Sequence, residues 1–411
     1  MKDIASRDFF VDPDIRKAES LPSSTFFDSR FLELELDRIF SRAWLLSPKD
    51  AIPPESSASA RRDGTAARSP FSLLGKPLFL QRNSKGGLSC FPNVCTHAWH
   101  PLVGGSNSSG SLICPQHGRA FDDNGRFVFH KGFENMQNFP RESDHLRKLH
   151  LGTMGPLVFA CLEKPLAPFD AFTGQMRKST PGINFQSFKY EQSPSEVRIL
   201  NGNWKQHAWN YMDNYHIRFV HKGPGGLSDA IDLDTYTTEL YEYSALQWVY
   251  SRKPEHGFNP DQIASRFRDP KRPERRVFAL WWFIFPNLAL NFYPWGLSAN
   301  LYLPVPGKPD KTEFHWYQFS LDPSKFSQRK EIWLSEQVDA EDIEAISLVS
   351  KGAQSGFAPR GRFAPREEGG PHWLHRLVYL AMFGSQSHQR ALGRTDSRIH
   401  AVSRSSESRP C

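Results

Sequence analysis

Two short stretches carry residue types that bind metal. Cys95-Thr96-His97 is followed, sixteen residues later, by Cys114-Pro115-Gln116-His117, so each stretch offers one thiolate and one imidazole. Four such ligands suit a structural zinc ion. They also suit a [2Fe–2S] cluster with two Cys on one iron and two His on the other, where the neutral imidazoles raise the reduction potential above that of an all-Cys cluster. Familiar zinc spacings run Cys-Cys and then His-His. The alternating order here favours iron.

A second constellation runs from Asn203-Trp204-Lys205 through Asn210 to His221. On a continuous helix Asp213 and His216, at i and i+3, share a face with Trp209, Asn210, Ile217 and Val220. His221 lies five residues past His216 and points away from that face. Both imidazoles reach one metal only if the helix unwinds, and Lys222-Gly223-Pro224-Gly225-Gly226 supplies an ending. The competing reading is a polar helix face with one satisfied core histidine. A third ligand should be a carboxylate, because two His and one carboxylate on one face of Fe(II) leave positions open for O₂ and substrate. Asp342 fits, with Val338, Ala345, Ile346, Val349 and Ala353 around it on the helical wheel while Glu341 and Glu344 point elsewhere. A carboxylate on an apolar stripe needs a cation or a metal, so a buried ion pair with Arg is the alternative.

These ligands need elements to hold them. A helix is predicted from Asp28-Ser29, because Leu32, Leu36, Ile39, Phe40 and Ala43 recur at helical spacing with Glu33, Glu35 and Asp37 between them. Residues 51–69, rich in Pro, Ser, Ala and Arg, read as a surface excursion. Short strands are expected over 77–81 and 88–91, and again over 120–121 and 126–129, where Asn124-Gly125 tolerates the positive φ of a tight hairpin. Cys90 and Cys161 read as buried apolar residues on strands. A Pro-rich crossing over 165–181 leads to a helical region from Asn203, aromatic strands over 236–250 and 277–319, and helices over 323–352 and 372–382. The fold class is α+β. The expected division is a helical lead-in over 1–69 packing on the catalytic domain, an all-β metal-binding domain over 70–163, the α+β catalytic domain over 164–383, and a disordered tail over 384–411.

Composition narrows the function classes. Of the net charge of +7 over 411 residues, +3 falls in the tail, and no basic stripe suggests nucleic acid. The most apolar run, 277–285, is far short of the roughly 20 residues of a membrane helix. Residues 1–8 contain no apolar segment of a secretory signal. Five scattered cysteines suit no disulfide framework but do suit metal thiolates in a reducing compartment, so a cytoplasmic location is expected.

The Cys-His pairs, with Asn93-Val94 before the first, Pro101-Leu102 after it, and His117-Gly118 leading to Phe121-Asp122-Asp123-Asn124-Gly125, resemble the Rieske family. Two departures stand out. The family commonly has Arg-Gly where this chain has Ala98-Trp99, and an aromatic pair where it has Gln116 and Arg119. The stretch from Asn203 to His221, a later Glu-Asp at Glu341-Asp342, and Phe285-Pro286-Asn287 through Leu297 resemble the catalytic domain of ring-hydroxylating and choline-monooxygenase-like Rieske oxygenases. The resemblance spans roughly residues 24–382.

By that resemblance, Cys95, His97, Cys114 and His117 hold the cluster, and His216, His221 and Asp342 hold a mononuclear Fe(II). Asp213 becomes a catalytic carboxylate linking His216 to the His117 of a neighbouring subunit. The implied fold is a Rieske β-domain followed by a helix-grip, START-like catalytic domain with an antiparallel sheet and helices, assembled as a homotrimer. A reductase or ferredoxin would supply electrons ultimately from NAD(P)H, with no nucleic acid or membrane partner. The implied reaction is O₂-dependent monohydroxylation, dihydroxylation or oxidative demethylation of an organic substrate. The Asn203-Trp204-Lys205 and Asn210-Tyr211 pattern hints at a small quaternary ammonium compound, which Trp209, Tyr211, Trp281, Trp282 and Tyr293 could cage. An aromatic ring undergoing cis-dihydroxylation is the alternative within the enzyme class. A Rieske electron carrier with an empty second site is the alternative outside it.

Overall fold

In the computed structural model the described residues are 6–53, 66–83, 85–105, 111–221, 226–329 and 335–384. Lys222-Gly223-Pro224-Gly225, most of the expected 51–69 excursion, and the tail beyond Gly384 with Cys411 lie outside them. The chain divides into two compact units, Ser41–Leu166 and Met1–Phe40 joined with Ala167–Cys411.

The Ser41–Leu166 unit is built from short strands: β1 Leu45–Leu46, β2 Ala67–Leu73, β3 Lys76–Arg82, β4 Leu88–Pro92, β5 Leu112–Ile113, β6 Ala120–Phe121, β7 Phe127–Phe129, β8 His150–Met154 and β9 Leu157–Cys161. They form three antiparallel three-stranded sheets, ordered β1-β9-β8, β2-β3-β4 and β5-β6-β7. Both predicted hairpins form, β3 with β4 and β6 with β7. At the second turn Gly125 has φ 78°, and a Cβ there would collide with the Phe91 ring at 2.7 Å, so both conformation and packing require glycine. The predicted surface excursion is corrected at its end: Ala67–Ser69 belong to β2, and Arg68 is buried with its Nε donating to Gln81 at 2.7 Å. Pairing to β3 overrides the polar composition. Phe79 stacks on Phe91 at 5.4 Å in a core that also contains Cys95, Leu102, Cys114 and Phe121. Cys90 and Cys161 are buried on β4 and β9, as expected.

The second unit is organised by one antiparallel seven-stranded sheet. Its strands are β10 Lys189–Asn201, β11 Thr237–Leu240, β12 Ser244–Tyr250, β13 Val277–Ile284, β14 Leu288–Tyr293, β15 Gly296–Val305 and β16 Lys308–Ser320, in the order β10-β16-β15-β14-β13-β12-β11. From β11 to β16 neighbouring strands meander, whereas β10 returns to pair with β16. Every residue of β13 and β14 is buried, so both faces of the central sheet are covered. The first helix is Ser29–Arg38, with the Asp28 carboxylate accepting from Arg30 N at 2.9 Å as its N-cap.

Two sequence readings are corrected in this unit. The Pro-rich crossing contains a helix, Phe169–Ser179, starting directly after Pro168 and burying Phe172 and Met176 at i and i+4. Glu35, read as part of a polar face, is fully buried: its carboxylate accepts from Lys205 Nζ at 2.6 Å and from Trp204 Nε1 at 2.8 Å. Removing one partner of such a pair costs about 3–5 kcal/mol, because the remaining charge stays enclosed. Among the described residues no helix is long and apolar enough to cross a membrane.

Candidate cluster site and active site

The two Cys-His loops fold alike. Cys95 N donates to His100 O at 2.9 Å and Trp99 N to Cys95 O at 3.1 Å; Cys114 N donates to Arg119 O at 2.8 Å and Gly118 N to Cys114 O at 3.0 Å. The fourth residue after each Cys has positive φ, 62° at Trp99 and 74° at Gly118. Glycine reaches this region freely, while any other side chain pays about 1–2 kcal/mol. The departure at Ala98-Trp99 therefore puts a bulky residue at the left-handed corner of the first loop, and its ring is 80% exposed. Asn93 braces this loop, accepting from Leu102 N and Val103 N, both at 2.9 Å.

Cys95 and Cys114 are buried, and burial pushes the Cys95 thiol up. The imidazoles lie further out, with ring centroids 4.8 Å apart, and His97 Nδ1 is enclosed without a hydrogen-bond partner. Thiols in the core and imidazoles nearer the surface suit a cluster with its thiolates on one iron and its imidazoles on the other. The second departure, Arg119, is buried and holds the loops together: Nη1 donates to Thr96 Oγ1 at 2.9 Å, Nε donates to His130 Nδ1 at 3.2 Å, and Phe127, Phe133 and Phe139 surround the guanidinium.

The second site begins where β10 turns at Gly202 into the helix Trp204–Met212. Asn203 caps that helix, accepting from Lys205 N at 3.0 Å while Gln206 Oε1 accepts from Asn203 N at 2.9 Å, a capping box. The predicted helix ends earlier than expected. Asp213 is already extended at φ −91°, ψ 116°, and its Oδ1 accepts from Tyr215 N at 2.6 Å. A short turn of helix, Ile217–Val220, follows with His216 and His221 at its two ends. The break thus precedes His216, so Asp213 and His216 face each other across a turn rather than along a helix. Such Asx turns compete effectively with helical hydrogen bonding.

This path brings His216 Nε2 to 3.3 Å from His221 Nε2, with Asp342 Oδ1 3.4 Å from the first and 3.1 Å from the second. Asp342 Oδ1 is buried and satisfies no hydrogen bond despite these distances, so the three atoms aim at a common centre rather than at one another. Ligands about 2.0–2.2 Å from a metal and at right angles lie about 3 Å apart, which this triangle matches. Burial alone would raise Asp342, but the two imidazoles hold it down at about 2; burial alone would lower His216, but Asp213 and Asp342 hold it up at about 9. Asp213 Oδ2 lies 3.5 Å from His216 Nδ1, ion-pair distance rather than a well-formed hydrogen bond.

Asp342 sits on the helix Ser335–Gln354, as expected, but its surroundings differ from the helical wheel. Val338 and Ile346 are buried, whereas Val349 is 59% exposed. Glu341, read as pointing elsewhere, accepts from His221 Nδ1 at 2.7 Å and is held in turn by Gln337 Nε2 at 2.9 Å. A carboxylate on the far nitrogen fixes the ring and aims Nε2 at the centre. Glu341→Ala should weaken retention of metal at this site about 10- to 100-fold while leaving the cluster intact. Chelator titration followed by iron analysis measures it.

Beside the triad lies a cavity of about 110 Å³. Of the five aromatics expected to form a cage, Tyr211, Trp281 and Tyr293 line it, but Trp209 and Trp282 do not. Trp282 follows Trp281 on β13 and therefore faces the other side of the sheet, where it stacks on Tyr241. Trp209 packs on Phe363 and His375. The sequence reading missed Tyr236, Tyr302 and Phe314, which come from separate elements and join the lining only in the folded sheet. Tyr211 OH donates to Asn291 Oδ1 at 2.6 Å, and Trp281 Nε1 donates to Tyr293 OH at 3.1 Å, which fixes these rings.

Comparison with known proteins gives the same division of the chain's chemistry. Residues 57–140 match the Rieske [2Fe-2S] domain, and residues 183–382 match the catalytic domain of ring-hydroxylating alpha subunits. Choline monooxygenase of Arabidopsis thaliana is 28% identical over 90% of this chain and 84% of its own length; the oxygenase subunit of carnitine monooxygenase from Acinetobacter baumannii is 22% identical over 93% and 98%. Among solved structures, a quaternary ammonium Rieske monooxygenase superposes with a TM-score of 0.70 at 19% identity, over 92% of this chain and 99% of that one. Naphthalene 1,2-dioxygenase does so at 0.66 and 14%, over 94% and 96%. With a Rieske domain ahead of a ring-hydroxylating catalytic domain, and the two iron cofactors these imply, the chain belongs to the Rieske non-haem iron oxygenases as an α-subunit.

Proposed function

We propose that this oxygenase hydroxylates a small quaternary ammonium compound, using O₂ and electrons passed from NAD(P)H through a separate reductase. The observation that carries this reading is the cavity beside the triad, whose lining includes five aromatic rings, Tyr211, Tyr236, Trp281, Tyr293 and Tyr302, a composition suited to a cation. The choline and carnitine monooxygenases among its relatives agree. Oxygen uptake with a generic reductase should respond to choline-type compounds at least about tenfold more than to naphthalene or indole. The reverse preference would favour aromatic cis-dihydroxylation. The electron-carrier alternative is set aside by the catalytic-domain match.

In this reading Cys95, His97, Cys114 and His117 hold the cluster, and His216, His221 and Asp342 hold Fe(II), which supplies O₂ activation when bound. The cavity's rings exclude water and orient the substrate, and Glu341 keeps His221 aimed. We assign a homotrimer in a reducing, cytoplasmic compartment, with the thiolate ligands Cys95 and Cys114 and the unbridged Cys90 and Cys161 as support for the compartment.

Asp213 would then join His216 to the partner subunit's His117, an acceptor between two ligating rings. Asp213→Asn should retain both iron centres yet turn over at a small fraction of the wild-type rate, because the amide reverses hydrogen-bond polarity on one side. Single-turnover kinetics on pre-reduced enzyme reads this step, and cluster oxidation as fast as in wild type would remove Asp213 from the electron path.

A further inference from the structure

The helix that carries Asp342 also carries Asp339 one turn earlier, on the same face, at a Cβ separation of about 5–6 Å. Asp339 lines the cavity, and its carboxylate has no hydrogen-bond or ion-pair partner among the described residues. Asp339 is partly buried, and burial, with Asp342 next to it, pushes its carboxyl up to about 7. Around it stand the Tyr293 and Tyr302 rings, both within electrostatic range. Among the described residues no Lys or Arg lines the cavity. Arg198, over the ring of the lining residue Phe314 and paired with Glu196 at 3.0 Å, partly offsets that upward push on Asp339.

Resting on the quaternary ammonium reading above, we infer that Asp339 is the counter-ion for the substrate's cationic head, and that the cavity selects cations carrying no carboxylate of their own. The free carboxylate and the ring faces both attract positive charge, and the ligand-side partner that Asp339 lacks within the protein would be the substrate's nitrogen. A zwitterion would bring a further carboxylate into a cavity where Asp213, Asp339 and Asp342 already outnumber the two positive charges of bound Fe(II). Specificity of this kind comes as much from repulsion as from attraction. Pairing at Asp339 would also keep the carbons bonded to the nitrogen within about one helical turn of Asp342.

The test is equilibrium binding to the anaerobic holoenzyme of three probes: choline, its neutral carbon isostere 3,3-dimethylbutan-1-ol, and L-carnitine. Wild type should bind choline more tightly than either of the others. Asp339→Asn should weaken choline about 30-fold while leaving the neutral isostere unchanged, and Asp339→Glu should restore part of the loss. Unchanged iron content and Tm in the Asn variant separate charge recognition from misfolding. If wild type prefers choline to the isostere but Asp339→Asn keeps that preference, or weakens both probes equally, Asp339 is not the counter-ion and the quaternary ammonium reading stands. Wild-type affinity for L-carnitine equal to or above that for choline overturns the exclusion of zwitterions. Failure of wild type to prefer choline over its neutral isostere overturns both the inference and the reading beneath it.

Discussion

Asp342→Ala is expected to abolish substrate-dependent O₂ uptake and to lose the mononuclear iron, while the reduced Rieske EPR signal persists at full intensity. Asp342 supplies the only anionic atom of the triangle, 3.1 and 3.4 Å from the two Nε2 atoms, and a pair of imidazoles alone retains ferrous iron poorly. His216 and His221, with Nε2 atoms 3.3 Å apart, would then offer the metal only two neutral ligands. The cluster loops belong to the other compact unit, with a hydrophobic core of its own. Iron analysis with EPR on the same sample makes the measurement. Retention of the full iron complement would show that another carboxylate, Glu341 or Asp339, is the ligand.

The converse variant, Cys114→Ala, should erase the Rieske EPR signal and with it all reductase-driven turnover. Both thiols lie in the core with Phe79, Phe91 and Phe121, and an iron left with one thiolate loses half of its ligands from the protein. The peptide groups of the loop keep their own bonds, Cys114 N to Arg119 O and Gly118 N to Cys114 O, so the unit should still fold. Mononuclear iron should remain, and chemically supplied electrons or peroxide should recover some product. A persisting signal would overturn the ligand set at these loops.

What the sequence determined by itself was the chemistry and the order of its parts. The alternating Cys-His pairs, the His216–His221 spacing and the Asn124-Gly125 turn are local patterns whose meaning depends on a few adjacent residues, and the hairpins and the family both followed from them. Tertiary structure decided everything that depends on which face meets which. Glu35 looks like one of three acids on a solvated face, yet Lys205, far along the chain, buries it. Trp281 and Trp282 are equivalent in composition, but strand alternation sends one to the cavity and the other to Tyr241. Glu341 seemed to point away from Asp342 on an ideal helical wheel, because the wheel cannot include His221 arriving from a different element. The break before His216 was hidden for a related reason: whether Asp213 continues a helix or bonds to Tyr215 N depends on where the chain must go next, and the metal triangle, assembled from two segments far apart in the chain, sets that destination.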